Sequence, residues 1–219
     1  MTTTPATTSR AHLEAFFSSV NPHHGRVIFC VDATASRQEG WDTASHVQSQ
    51  MFDTIATVGT LEVQLVYYRG YGECVASGWK SDAHSLAGVM TGVTCASGHT
   101  QIAKVLRHAA REHAHEPINA LIIVSDACEE DPAELYAAAR ELNGARIFLF
   151  QEGSDERVAE IYAEIARITG GAHCKFDAAA AQRLADLLKA VAAFATGGIR
   201  ALADQQTTAA RLLLTQIKR

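Results

Sequence analysis

Five side chains with oxygen donors lie in three separate segments of this 219-residue chain: Asp32, Thr34, Ser36, Thr100 and Asp126. The first three belong to the stretch Asp-Ala-Thr-Ala-Ser, directly after the apolar run 27–31. The fourth opens a helical pattern, and the fifth follows a second apolar run, 120–125. Because the carboxyl ends of parallel strands meet at one edge of a sheet, we expect these side chains to converge on one divalent cation.

The donor set has a consequence for what the cation would bind. Magnesium and other hard cations prefer oxygen ligands and give up their water reluctantly. Two carboxylates and three neutral hydroxyls would leave the ion electron-poor and partly hydrated. We therefore expect it to accept one more anionic oxygen, such as a carboxylate from another molecule.

Strand and helix patterns alternate along most of the chain. The strands are predicted at 27–32, 61–68, 73–76, 118–125, 145–150 and 172–176, with 73–76 pairing antiparallel to its predecessor through a short turn. Helices are predicted at 9–20, 41–58, 82–91, from Thr100 onward, from Asp131 to Asn143, at 158–168 and at 184–194. The alternation predicts an α/β fold, doubly wound and Rossmann-like, with a mainly parallel sheet and helices on both faces.

Composition excludes several classes of protein. With 47% hydrophobic and 20% charged residues the chain is globular, and its net charge of −5 without a basic stripe argues against nucleic acid as a partner. No apolar run is long enough to span a membrane, and no signal peptide is apparent. The five cysteines are widely spaced and odd in number, so we expect reduced thiols and a cytoplasmic protein.

The motif Asp32-x-Thr34-x-Ser36, with a distant Thr100 and then Asp126 after a strand, resembles the metal-ion-dependent adhesion site (MIDAS) of von Willebrand factor A (VWA) domains. Their usual first element is Asp-x-Ser-x-Ser, and threonine at position 34 keeps the hydroxyl. His99 and Ala127 stand where these domains often have glycine. The resemblance covers roughly residues 25–196.

The resemblance implies a six-stranded doubly wound sheet with one short antiparallel edge strand. It also implies a Mg²⁺ (or Mn²⁺ or Ca²⁺) ion held, directly or through water, by the five residues named above. The ion would mediate contact with a protein partner that presents Asp or Glu. Intracellular bacterial members often act as adaptors, some of them beside an AAA+ ATPase, and no residue of this chain by itself indicates that role.

Each segment also has a purely structural explanation. Asp32, Thr100 and Asp126 could each cap a helix or a turn. The Glu129-Glu130 pair could be a solvated loop, a second cation site or a source of negative field, and Asp131 is explained as a helix N-cap. The other histidines do not share a helix face, so a transition-metal site is not expected, whereas His99 is expected near the cation.

Three parts are expected along the chain: a partly disordered N-terminal extension (1–20), a VWA-like domain (21–196) and a C-terminal helical extension (197–219). The last part could pack on its own domain or be offered to a partner or a second copy. The alternative function is a metal-assisted hydrolase or phosphatase of α/β fold. The sequence lacks the Asp-x-Asp motif, the phosphate loop and the nucleophile elbow of such enzymes, so a non-enzymatic binding module is favoured.

Overall fold

A computed structural model describes residues 25–37, 61–177 and 181–217. Its strands are β1 (Gly25–Asp32), β2 (Leu61–Arg69), β3 (Glu73–Ala76), β4 (Ala120–Ser125), β5 (Arg146–Glu152) and β6 (Ala172–Phe176). The helices of this part are α1 (Ala83–Thr91), α2 (Ile102–His115), α3 (Pro132–Glu141), α4 (Glu156–Thr169), α5 (Ala181–Asp204) and α6 (Thr208–Gln216). The helices predicted at 9–20 and 41–58 lie outside the described residues.

The six strands form one sheet in the order β3-β2-β1-β4-β5-β6. All neighbouring pairs are parallel except β2 and β3, which pair antiparallel with Arg69 opposite Glu73. The doubly wound fold and the antiparallel edge strand predicted from the sequence are therefore confirmed. β1 and β4 are neighbours in the middle of the sheet, so Asp32 and Asp126 emerge side by side at its carboxyl edge.

Alternate residues of each central strand pack against opposite layers of helices. In β1, Val27, Phe29 and Val31 belong to a core shared with α1, α5 and α6. Ile28 and Cys30 belong to a second core, shared with α2, α3 and α4. Because both faces are covered, the central strands read as continuous apolar runs, which is why the sequence located them.

Local signals fix most helix ends. Asp131 accepts a hydrogen bond from the Ala133 N–H at the start of α3, as predicted, and Asp155 caps α4 in the same way through Val158. Gly170 ends α4 in the left-handed conformation with φ of 68°. The predicted end of the last helix at Gly197-Gly198 is only partly right, because α5 continues to Asp204 after a non-helical break at Gly198.

The C-terminal segment packs on its own domain. Leu202 and Leu213 are 0% exposed, and both join the core formed by α5 and the sheet. Gln216 accepts a hydrogen bond from the His173 N–H of β6 at 2.9 Å. The first of the two alternatives for residues after 196 therefore holds for the described part of the segment. No helix in the described ranges is both long and apolar enough to cross a membrane.

Candidate functional site

Asp32 ends β1 with its carboxylate held from three sides. Its Oδ1 accepts a hydrogen bond from the Thr34 N–H at 2.8 Å. Its Oδ2 accepts bonds from the Ser125 hydroxyl at 2.6 Å and the Tyr68 hydroxyl at 3.1 Å. Burial raises the pKa of Asp32, hydrogen bonds from Ser125 and Thr34 lower it, and repulsion from Asp126 raises it further, so the pKa stays above its ordinary value.

Thr34 and Ser36 bring their hydroxyls together just beyond Asp32. A 3₁₀ turn at Ala35–Arg37 bends the chain there, and the two hydroxyl oxygens lie 3.1 Å apart. Thr34 is buried and Ser36 is exposed, so the pair runs from the interior to the surface. The spacing of two residues therefore places these donors as the sequence predicted.

Asp126 has an oxygen that no described group satisfies. Its Oδ1 is buried and has no hydrogen-bond partner. A buried carboxylate oxygen without a donor or a positive charge is costly, and such groups in proteins are usually paired or bound to a metal. The neighbouring carboxylate of Asp32 repels it and cannot act as that partner. The local chemistry thus calls for a cation between these loops.

Thr100 lies on a loop that packs beside the Asp32 loop. Thr34 and Ala96 form an isolated parallel bridge, and the Ala96 N–H donates to the Ala33 carbonyl at 3.0 Å. The Thr100 hydroxyl donates to Glu129 at 2.8 Å and accepts from the Glu129 N–H at 3.1 Å. It is thereby tied to the loop of Asp126, and one of its two lone pairs remains for a further ligand.

Glu129 and Glu130 hold the N-terminus of α2. Glu130 accepts hydrogen bonds from the Ile102 and Ala103 N–H groups, and Glu129 accepts one from the Thr100 N–H at 3.0 Å. The alternatives considered from the sequence did not include this role, and a solvated loop is wrong for the partly buried Glu130. Helix α2 begins at Ile102, and the side chain of its N-cap residue, Gln101, makes no capping bond.

The two carboxyls differ in their titration. Burial raises the pKa of Glu130 above its ordinary value, although bonds from Ala103 and Ile102 oppose it. Burial also acts to raise the pKa of Glu129, but the hydrogen bonds from Thr100 outweigh it and the pKa is lowered. Both groups are committed to backbone N–H groups, so neither stands free as a general base beside the site.

The two departures from the usual motif have local explanations. The exposed His99 packs edge-on against Tyr71 with ring centroids 5.4 Å apart. The residue before it, Gly98, meets Gly70 so closely that a Cβ would lie 2.0 Å from the Gly70 oxygen, so the loop needs its glycine at 98. Ala127 contributes its carbonyl, which accepts the Tyr162 hydroxyl at 2.9 Å.

The other described histidines at issue have structural partners. Nε2 of His108 lies 2.7 Å from the Gln64 side-chain oxygen, and Nδ1 of His113 accepts the Ile118 N–H at 3.0 Å. Within the described ranges, no three His, Cys, Asp or Glu side chains gather to hold a metal. The predicted site contains only two residues of those four types and relies on hydroxyls for the rest, so this finding does not bear on it. All five cysteines are free thiols.

The structure brings the predicted residues together to different degrees. Asp32, Thr34 and Ser36 are linked directly, and Ser125 connects Asp32 to the residue before Asp126. Thr100 reaches the other four only through Glu129 and Ala96. Sequence reasoning missed Tyr68 and Ser125, since nothing in their local context distinguishes them from strand residues. Asp126 also lines a surface cavity of about 610 Å³ with Lys175 and Arg183, which leaves space for a ligand group beside it.

The fold is that of VWA domains. It is similar to a von Willebrand factor type A protein from Catenulispora acidiphila (TM-score 0.65, 17% identity, 80% of this chain and 43% of that one). It is also similar to an aerotolerance-related membrane protein from Bacteroides fragilis (TM-score 0.58, 18% identity, 75% and 98%). A third similar structure is the pilus adhesin SpaC from Lactobacillus rhamnosus GG (TM-score 0.63, 10% identity, 78% and 30%).

The similarity therefore spans less than half of the Catenulispora chain and almost all of the Bacteroides chain. No family model matches the sequence, and no curated protein does. At these identities the likeness extends to the fold alone.

Proposed function

We propose that this chain is a protein-binding module that depends on a divalent metal, with Mg²⁺ held by Asp32, Thr34, Ser36, Thr100 and Asp126. The observation that carries the proposal is the buried, unpartnered Oδ1 of Asp126 beside the fully buried Asp32. Two carboxylates at one sheet edge repel each other unless a positive charge lies between them. The hydroxyls of Thr34 and Ser36 add neutral oxygens on the same side.

The chain's own residues prepare the site before any ion arrives. Tyr68 and Ser125 fix one oxygen of Asp32, and the Thr34 N–H fixes the other. Glu129 fixes the Thr100 hydroxyl. This arrangement lowers the cost of ordering side chains on binding. A bound ion would supply a positive centre that attracts a further carboxylate oxygen.

The proposed partner is a protein that presents Asp or Glu at the sheet edge. The similar pilus protein is named an adhesin, which is consistent with contact between proteins as the use of this fold. The cavity beside Asp126 gives such a side chain room to approach. A cytoplasmic adaptor role, beside an AAA+ ATPase or within another intracellular complex, stays a prediction.

Metal binding is tested with Mn²⁺, which replaces Mg²⁺ and is counted by electron paramagnetic resonance. We expect one tight ion per chain in wild type and none in Asp32→Ala or Asp126→Ala. Asp204→Ala is the matched control, because Asp204 is an exposed carboxylate at the end of α5. Equal Mn²⁺ binding by all four proteins would refute the metal site.

Partner binding is tested by affinity capture from the native host, with Mg²⁺ or with a chelator. Proteins captured by wild type in Mg²⁺ should be lost with the chelator and with Asp126→Ala, and retained by Asp204→Ala. If capture ignores both the chelator and the variant, the ion has no part in the interaction. Hydrolysis of a generic phosphate ester that needs Mg²⁺ and disappears in Asp32→Ala would favour the enzyme alternative instead.

A further inference from the structure

A second groove runs between the edge strand β3 and helix α2. Its floor is formed by Val66, Cys74 and Ala76, and it has a volume of about 210 Å³. Its outer wall is a line of basic side chains on one side of α2: Lys104, Arg107, His108 and Arg111. We call it the β3–α2 groove. None of its lining residues belongs to the proposed metal site.

The strand that borders this groove is the last in the sheet. β3 pairs only with β2 among the described strands, so its outer edge is open there. In an antiparallel pair, alternate residues direct their N–H and C=O groups away from the partner strand. The Ser77 N–H bonds to the Leu65 carbonyl, whereas the Tyr68 carbonyl bonds to Ala33 of the β1 side. Cys74 and Ala76 therefore direct their backbone groups outward.

The charge of the groove is opposite to that of the whole chain, which is −5. The Lys104 ammonium donates only to neutral oxygens, the Gly72 carbonyl at 2.9 Å and the Gln101 side chain at 3.0 Å. Arg111 is exposed and forms no ion pair with a described residue, while Arg107 pairs with Glu134 at 2.7 Å. Two cations beside an open strand edge are thus left without a carboxylate.

The acidic groups near the groove do not cancel these charges. Glu130 is held by the N-terminus of α2, and Glu112 accepts the Trp79 indole N–H at 2.8 Å. Burial raises the pKa of the Cys74 thiol, and Lys104 and Arg111 act to lower it, so both cations lie close enough to act on the floor. Burial likewise lowers the pKa of His108, which favours its neutral form.

We propose that the β3–α2 groove is a second binding site, which takes an extended acidic segment of a partner protein as an added strand beside β3. The outward backbone groups of Cys74 and Ala76 would supply the strand hydrogen bonds. Lys104 and Arg111, about 10 Å apart along the helix, would pair with acidic side chains on the face of the added strand that meets α2. The open edge and the unpaired cations thus select one kind of ligand.

The probe is a fluorescent peptide of about ten residues that alternates valine and glutamate, the length of a long strand. We expect it to bind the full chain in an anisotropy titration and to weaken as salt is added. The same peptide with lysine in place of glutamate should not bind. Failure of the glutamate peptide to bind overturns the proposal.

Two kinds of variant separate charge from backbone. Lys104→Glu combined with Arg111→Glu should weaken peptide binding by about tenfold or more, and Arg200→Glu combined with Arg211→Glu, on exposed positions of α5 and α6, should not. Ala76→Pro removes an outward N–H and leaves the charges in place, so it should also abolish binding. Unchanged binding in Ala76→Pro, with loss in the charge variant, would mean a simple anion site and overturn strand addition.

Further measurements keep the test decisive. If Ala76→Pro does not fold, amide hydrogen exchange of wild type replaces it, and protection of Cys74 and Ala76 by the peptide is required. Inorganic phosphate at matched ionic strength should not displace the peptide; displacement would mean a phosphate site. A dimer in sedimentation that Ala76→Pro dissolves would assign the edge to a second copy of this chain, which also overturns the proposal.

Discussion

At the scale of single residues, the candidate site is built around a conflict between two carboxylates. Asp32 is 0% exposed and Asp126 keeps a buried oxygen without a partner. The donors Tyr68, Ser125 and Thr34 all serve Asp32, and within the described residues none serves that oxygen of Asp126. The metal-free site is therefore strained electrostatically, and a cation is the simplest way to relieve it.

Asp126→Ala should relieve that strain and remove the response to metal. Without metal, the variant should unfold at the same temperature as wild type or higher, because an unsatisfied buried oxygen is gone. At ten times its dissociation constant, Mg²⁺ should stabilise wild type by about 1.4 kcal/mol and the variant not at all. Thermal unfolding with and without Mg²⁺ measures both, with Asp204→Ala as control; equal shifts in all three proteins would contradict the site. Thr34→Ala should keep part of the response, since it removes a neutral donor.

Tyr68→Phe should separate the metal site from general stability. It deletes one donor to Asp32 inside the core, and we expect a loss of about 1–2 kcal/mol in the free energy of unfolding. Tyr162→Phe is the matched control, because its hydroxyl bonds to the Ala127 carbonyl and does not contact Asp32. Urea unfolding should show a cost for both, whereas Mn²⁺ titration should show weaker binding only for Tyr68→Phe. Equal affinities would mean that Tyr68 only packs.

The sequence predicts part of this site and not the rest, for a physical reason. Asp32, Thr34 and Ser36 are recognisable because their spacing is local and follows a buried strand. Tyr68 and Ser125 look like ordinary strand residues, because their role comes from hydrogen bonds that span 36 and 93 positions. Such partners depend on strand order, which a local pattern does not contain.

At the scale of elements, helix α2 depends on a cap that comes from another part of the chain. Its first N–H groups bond to Glu130, which is 28 residues from Ile102. Helices α3 and α4 instead begin at their own aspartates, Asp131 and Asp155. This difference explains why the starts of α3 and α4 follow local signals, while α2 starts two residues later than Thr100. The break at Gly198 was likewise not predicted as a continuation, because glycine pairs usually end a helix.

Glu130→Gln should weaken α2 at its first turn. A charged acceptor at a helix N-terminus contributes about 1 kcal/mol, and an amide oxygen replaces only part of it. Glu141→Gln, at the exposed end of α3, is the control and should change stability little. Hydrogen exchange of the Ile102 and Ala103 amides should become faster only in Glu130→Gln. Unchanged exchange there would contradict the capping role.

At the scale of the whole molecule, two helical layers cover the sheet, and the C-terminal helices belong to one of them. α6 is packed through Ala210 and Leu213, both 0% exposed, and through Ile217 at 6%. It therefore acts as part of the core and not as a free arm. The alternation of apolar strands was sufficient to predict the layers, because each strand is buried on both faces. The sequence pattern of the last segment fitted two arrangements equally well, since a packed helix and a docking helix share one apolar face.

Leu213→Ala tests that arrangement. A fully buried leucine should cost about 2–5 kcal/mol when truncated, whereas a leucine offered to solvent would cost little. Arg211→Ala, on the exposed face of the same helix, is the matched control. Urea unfolding of both variants measures the difference. A loss below that of the control would show that α6 does not pack as described.

Acid should weaken the fold through His173 on β6. Burial lowers the pKa of His173 to about 4, with repulsion from Lys175 acting in the same direction. The folded state thus binds the proton less readily than the unfolded chain, whose histidine has a pKa near 6.5. This contribution to stability is full above that value and is lost as the pH falls toward 4. His173→Gln should reduce the fall in unfolding free energy on acidification from neutral pH, and an unchanged slope would assign it elsewhere.

The grip of Glu129 and Glu130 on α2 has a mechanical consequence. These residues belong to the same loop as Asp126, yet their carboxylates end on Thr100, Ile102 and Ala103. The loop and the helix are therefore coupled, and a pull on one either moves the other or breaks several charged hydrogen bonds. Lys104 and Arg111 ride on that helix, so a load applied at the carboxyl edge of the sheet would be transmitted to the far flank of the domain.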